Sequence, residues 1–362
     1  MNEGTKKEGA FRAYLTKKGV TLSPRLYFVD AMSAMALGLF ATLLMGTIFG
    51  TIAGYLPAGT LIADYFAKIA QFAKAATGVV LGVAIANALK APPLVMFAAG
   101  AVGMCGNDLG TVIDGKSITA GPLGAFICVL LAVEIGKLVS KATKVDILVT
   151  PALTLGVGVL TAMLACPAVA YLMYYLGEFI NVTTQTHPFV MGIIISVVVG
   201  IVLTLPISSA ALCAMIGITG LAGGAAVAGC CAQMVGFAVI SFRENKWSGV
   251  VAQGIGTSML QMGNIVKKPA VWLPATVTAA ITGPVSTCLF KLECSGVSAG
   301  MGTCGMVGPI GIISDLGSSG SWLQWLGLPL ICIVLPAILR FVFYLPLKKW
   351  GWIKDGDMQL DL

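Results

Sequence analysis

The sequence is short of charge. Of 362 residues, 22 are Lys or Arg and 15 are Asp or Glu, together 10%, whereas soluble domains carry about a quarter charged residues. It has one histidine, His187, and its ten cysteines form no CxxC pair. It also lacks a Gly-x-x-x-x-Gly-Lys-Ser/Thr loop, an HExxH motif, a catalytic triad and any metal-spaced cluster. "GLAGGAAVAG" at 220–229 imitates a phosphate loop only in its glycines and reads as close helix packing through small residues. These absences predict a protein that is not an enzyme and that holds no cofactor. The net charge of +7 gathers near the N-terminus and in short loops, which suits an anionic membrane leaflet better than nucleic acid.

Apolar length is what the chain has in excess: 57% hydrophobic residues, 45 glycines and a mean hydropathy of +0.94. Uncharged stretches such as those around "LGLFATLLMGTIFGTIAGYL" and "FVMGIIISVVVGIVLTL" reach or exceed the roughly 20 residues that cross a bilayer as a helix. Their hydropathy is continuous, not alternating, which excludes a barrel. The fold class is therefore all-α, a polytopic membrane protein of about ten transmembrane helices. The basic segment 1–26 (Lys6, Lys7, Arg12, Lys17, Lys18, Arg25) precedes an apolar run too long for a signal peptide. It predicts an uncleaved first helix with a cytoplasmic N-terminus. Lys348, Lys349 and Lys354 place the tail 348–362 on the same side. "KLVSKATK" (Lys137, Lys141, Lys144) and "FRENKW" (Arg243, Lys246) read as charged cytoplasmic breaks, and 57–75 as an amphipathic helix at the interface.

"NALKAP" at 87–92 returns as "NIVKKP" at 264–269. After one apolar segment each is followed by a polar, glycine-rich stretch, "GMCGNDLGTVIDGKSITAGPLGAF" (103–126) and "KLECSGVSAGMGTCGMVGPIGII" (291–313), closing on Gly-Pro-aliphatic-Gly. The common order predicts an internal duplication with repeats at 27–180 and 187–347. Duplicated halves with broken helices or re-entrant loops are a transporter signature, and such backbone must line a wet cavity or lie buried in protein.

Ionisable groups inside a membrane body are functional candidates. Asp108, Asp114 and Glu293 are candidate ligands for hydroxyls or a coupling ion, and Lys116 and Lys291 for a negative group. Asn87 and Asn264 would stabilise broken helices, and Asn107, Ser117, Thr119 and Ser298 complete the candidate substrate-binding set. The site is expected where loops 103–124 and 291–311 approach. Gln233, Gln253 and Gln261 suit either ligand binding or interhelical bonding. His187, before a proline, reads as a helix entrance. Cys128, Cys166, Cys213, Cys230, Cys231 and Cys332 lie in apolar runs and read as small hydrophobes.

The paired "GKSITAGPLGAF" and "CGMVGPIGII" stretches, the "KKPAVWLPATVTAAITGP" segment and the basic N-terminus resemble the EIIC permeases of the phosphotransferase system, a group that includes the perfringolysin O regulator-like proteins. The resemblance spans nearly the whole chain. It implies a dimeric permease that moves a small hydroxylated or anionic solute, possibly a sugar, by alternating access, served by separate EIIB and EIIA proteins. The chain has no GITE-like motif, and its histidine is not in a polar hairpin. Two other readings stay open: an ion-coupled transporter independent of phosphotransfer, and a membrane sensor that regulates gene expression.

Overall fold

The computed structural model describes residues 15, 18–21, 23–317 and 320–360. Most of the basic segment 1–26, with Lys6, Lys7, Arg12 and Lys17, lies outside the described residues. Long helices dominate, as the continuous apolar runs require: α1 (Leu26–Tyr55), α2 (Leu61–Ala75), α3 (Thr77–Ala88) and α4 (Pro93–Asp108). A two-stranded hairpin, β1 (Gly110–Ile113) and β2 (Lys116–Thr119), precedes α5 (Gly121–Val139) and α6 (Asp146–Thr184). Then come α7 (Pro188–Thr204), α8 (Ser209–Ile216), α9 (Gly220–Ile240), α10 (Phe242–Val251) and α11 (Met262–Lys267). The chain closes with α12 (Pro269–Phe290), α13 (Val307–Leu316) and α14 (Trp322–Lys349).

Among the described residues, α1, α5, α6, α9, α12 and α14 are long and apolar enough to cross a membrane, and the pair α2–α3, bent by 50°, makes a seventh if counted as one span. Apart from the hairpin, the regular structure of the described residues is all helical. About ten spans were expected from the sequence, and glycine and proline interrupt several of the apolar runs. The run at 248–263 breaks into a wide π turn at Ala252–Gly256, an extended Thr257 and a 3-10 turn at Ser258–Gln261. Pro284 and Pro329 each stand immediately before a π-helical segment, Val285–Phe290 and Leu330–Val334. A proline withholds an N–H and crowds the preceding turn, and the wider turn absorbs that mismatch.

The chain divides into two compact units that interleave in sequence, residues 1–39 with 75–170, and 40–74 with 171–362. In the first unit α3, α4 and α5 pack backbone to backbone. A Cβ on Gly103 would lie 2.7 Å from the Cα of Gly82, and one on Gly106 would lie 2.9 Å from the Cα of Ala125. In the second unit α7, α9 and α12 do the same: Ser196 Oγ, on α7, donates to the Ala279 carbonyl at 2.7 Å, and Gly192 faces Gly283. Small residues let apolar helices approach closely where no hydrophobic effect operates between them and lipid. The six cysteines of the apolar runs are all buried and free. His187 stands at the entrance to α7, its Nδ1 accepting from the Phe189 amide at 3.4 Å.

Two charged stretches, the break at 137–144 and the tail 348–362, are partly taken into the interior of their units. Lys137 is buried inside the first unit, 1% exposed. The segment after α14 returns to the core of the second unit, where Ile353 and Met358 pack with Phe237, Ile240, Ile265, Val271, Ala275 and Tyr344.

Candidate functional site

In the first polar stretch α4 ends at Asp108, whose Oδ1 accepts from Asn107 Nδ2 at 2.7 Å. The hairpin follows, with Ile113 opposite Lys116 and Gly110 opposite Thr119. Asp114 (φ 49°) and Gly115 (φ 75°) form its two-residue turn. Positive φ at both centres matches the right-handed twist of the strands and favours Asp-Gly. Asp108, Asp114, Lys116, Ser117 and Thr119 are exposed, Asn107 is half-buried and Ile118 is buried. The sequence reading placed a broken helix or re-entrant loop here. The hairpin was legible as Asp-Gly between two β-branched tetrapeptides, "GTVI" and "KSIT".

The second polar stretch has no hairpin. Lys291 turns the chain through the left-handed region (φ 48°), and its carbonyl accepts from Gln324 Nε2 at 2.9 Å. Residues 292–295 then run outside any helix or strand, with Leu292 and Cys294 buried and Lys291, Glu293 and Ser295 exposed. The strand-like alternation is imposed by α9. Bare glycines at 223 and 224 let the backbone lie directly on that helix, and a Cβ on either would collide with the carbonyl of Cys294 or Leu292. The Cys294 amide donates to the Gly220 carbonyl at 3.2 Å, and Gly296 to Ile218 at 2.9 Å. Ser295 Oγ donates to Asp315 at 2.9 Å, while Ser298 is half-buried in the short turn that follows. "GLAGGAAVAG" is thus a packing surface, as its small residues implied.

The repeated Asn-x-x-Lys-x-Pro elements both end helices, in different ways. At the end of α3 the Lys90 amide donates to the Asn87 carbonyl (2.9 Å) and Ala91 to Ala86 (3.0 Å), with Lys90 left-handed at φ 55°. That is a Schellman cap, with proline following where no helix can continue. Asn87 itself is exposed. Asn264 is buried, and its Nδ2 donates to Gln261 Oε1 at 2.9 Å and to the Gln359 carbonyl at 2.8 Å. Asn264 belongs to a network that includes Gln253 and Gln261 and grips the 355–360 segment. Gln261 Nε2 donates to Gln253 Oε1 (2.9 Å) and to the Met358 carbonyl (3.0 Å), and Gln253 Nε2 to Ser241 Oγ (2.9 Å). Asn245 Nδ2 donates to the same Met358 carbonyl (2.8 Å), and its Oδ1 accepts from the Leu360 amide (2.8 Å). Glu244 takes the amides of Gly356 and Met358 at 2.8 and 2.9 Å. Burial pushes its carboxyl up from the ordinary value, against those two amides, which hold it down.

Three groups lay outside the sequence-based candidates. Lys137 Nζ spends all three donors, on Glu134 Oε1 (2.9 Å) and on the carbonyls of Leu89 and Gly19 (3.1 Å each). Glu244 and Asn245 hold the closing segment. Arg340, fully buried, carries the one charge in the run 323–347, which makes it visible in the sequence as an intramembrane arginine. A hollow of about 150 Å³ between Asn181, Thr184 and Ile216–Thr219 contains none of the sequence-predicted residues.

Both polar stretches interrupt a body of apolar helices, several of them long enough to span a membrane, and comparison with known families shows what kind of protein carries them. The family profile described as "Phosphotransferase system, EIIC" matches residues 29–360. The chain belongs to this family. No curated protein matches it. As an EIIC protein it is a multi-pass membrane protein and the transporter component of a phosphotransferase system. Both polar stretches and both helix-ending Asn-x-x-Lys-x-Pro elements lie inside the matched range.

Proposed function

We propose that this EIIC protein is a permease of the cytoplasmic membrane for a small hydroxylated or anionic solute, a sugar being the favoured class, working by alternating access with separate EIIB and EIIA proteins. The observation that carries the reading is the 291–295 segment. A backbone laid on the glycines of α9 leaves Lys291, Glu293 and Ser295 exposed at alternate positions. A cation, a carboxylate and a hydroxyl at two-residue spacing suit a ligand bearing hydroxyls or a negative group. The hairpin of the first unit offers a comparable set in Asp114, Lys116, Ser117 and Thr119. The matching order of elements around the two stretches supports descent from one duplicated element. We further propose that the protein is a homodimer and that both termini face the cytoplasm, in line with Lys348, Lys349 and Lys354 after the last span.

The test is a thermal-shift screen of the detergent-purified protein against sugars, sugar acids, polyols and their phosphates, since a ligand of the native state raises its apparent stability. A hit should weaken in Glu293→Gln and in Asp114→Asn, and transport in vesicles should then depend on an added EIIB partner. A hit untouched by both substitutions removes these stretches as the site. Uptake driven equally well without the partner favours an ion-coupled permease, and binding without uptake favours a sensor.

A further inference from the structure

Arg340 is a buried cation to which the described residues of its unit supply no counter-charge. It stands nine residues before Lys349, the last residue of α14, so about 13 Å from that end along the helix axis. Its stem lies over Gly236, where a Cβ would stand 3.2 Å from Arg340 Cγ. The guanidinium carbon sits 4.0 Å above the Phe237 ring, and Nη2 donates to the Val271 carbonyl at 3.3 Å. Nε and Nη1 are buried and have no acceptor among the described residues, and no carboxylate among them pairs with the group.

A second orphan shares this neighbourhood. Gln233 lies one helical turn before Gly236 and Phe237, on the same face of α9, and is fully buried. Its Oε1 accepts from Trp272 Nε1 at 3.1 Å, and this fixes the amide orientation, because a flip would set two donors against each other. Nε2 is left buried without an acceptor. Trp272 is the sequence neighbour of Val271, the residue that receives Arg340. Two side chains of the same unit, linked along α9 and through the neighbours Val271 and Trp272, thus keep buried donors without acceptors among the described residues, one of them carrying a full positive charge. Water would accept from them but would not neutralise the guanidinium, whereas an anion does both. The complete enclosure of both residues restricts the occupant to a small one.

We propose that Arg340 and Gln233 form a buried binding site for one small monovalent inorganic anion of the halide class. The site stands whether or not the protein transports a solute, and none of the residues assigned to the solute belongs to it. The test measures the Tm of the detergent-purified full chain at constant ionic strength while gluconate is replaced by chloride, bromide or phosphate. Chloride and bromide should each give a saturable upward shift. Arg340→Met, which keeps the apolar stem and removes the charge, should lose the shift. Gln233→Glu supplies a built-in carboxylate beside the guanidinium, so it should also lose the shift while being more stable than the wild type in gluconate. That second variant carries the test should Arg340→Met fail to fold. A wild type indifferent to halide, a shift produced by phosphate alone, or a halide shift that survives in Gln233→Glu would overturn the proposal. Crystals soaked in bromide should show their anomalous peak beside Arg340, and a peak only elsewhere would overturn it as well.

Discussion

The ammonium group of Lys137 lies 3.1 Å from the carbonyl oxygen of Leu89, the residue that caps α3 just before the first Asn-x-x-Lys-x-Pro turn completes. The side chain of a helix 48 residues further on thereby supplies a positive charge to the negative end of α3. It is held in place by Glu134, one turn earlier on α5. Removing one partner of a buried pair leaves the other uncompensated, at a cost of about 3–5 kcal/mol. Lys137→Met should lower thermal stability by that order, and the double variant Lys137→Met with Glu134→Leu should recover much of the loss. Equal losses in the single and double variants would show that the ammonium acts through the carbonyls and not through the carboxylate.

Met358 contributes a fully buried side chain to the core of the second unit. Met358→Ala should cost about 2–5 kcal/mol through the lost burial and the cavity left behind. The emission of nearby Trp350 and Trp352 should report release of the segment. A neutral substitution would mean that the polar network alone seats residues 355–360.

Glu244 gives that seat a pH dependence. Its carboxyl is raised by burial, so the folded protein keeps the proton to a higher pH than the unfolded chain does. Between the ordinary carboxyl value and the raised one the native state binds more protons, and the stability contribution of Glu244 falls as pH rises through that window. Glu244→Gln cannot titrate. The stability difference, wild type minus variant, should therefore decline with rising pH across the window and level off above it. A difference constant with pH would place the titration of Glu244 outside folding.

The Asp114-Gly115 turn separates the roles of conformation and charge. Asparagine tolerates left-handed backbone nearly as well as aspartate does, whereas a β-branched residue there pays about 1–2 kcal/mol. Asp114→Asn should leave hydrogen exchange of the hairpin amides unchanged, and Asp114→Val should speed it. If both variants exchange alike, the turn does not govern the hairpin.

Gly224 meets the Leu292 carbonyl with no space for a methyl group. Gly224→Ala should destabilise by about 1–3 kcal/mol and displace the segment that presents Lys291 and Glu293. The proposed solute affinity would then fall without any change to a ligand residue. Retained affinity would indicate that the exposed side of 291–295 is not the site.

Composition alone made the membrane setting and the all-helical body legible, because apolar length admits few other folds. His187 at a helix entrance and the small-residue packing of "GLAGGAAVAG" were equally local, and the structure agrees with both. The hairpin carried a local signal in Asp-Gly but sat within hydropathy that pointed to helices. The burial of Lys137 depends on Gly19 and Leu89, 118 and 48 residues away, and the seating of Met358 on Asn245 and Gln261, 113 and 97 residues away. No window of sequence contains such pairings. The Asn-x-x-Lys-x-Pro elements were legible as a repeated break between apolar segments, but the seat that occupies Asn264 was not.

The interleaving of the two units sets an order of events during synthesis. Residues 40–74 belong with 171–362: Phe40 packs beside Gly256, and Ile48 beside Gly305. The ribosome must first make the intervening segment of the other unit, close to a hundred residues, which at about 5–20 residues per second occupies roughly 5–20 s. During that interval the apolar surface of 40–55 is bordered by lipid or by the insertion machinery, without its final neighbours. A nascent chain stalled before residue 171 should hold a largely assembled first unit and an unpaired helix, making this stretch the one most exposed to premature association.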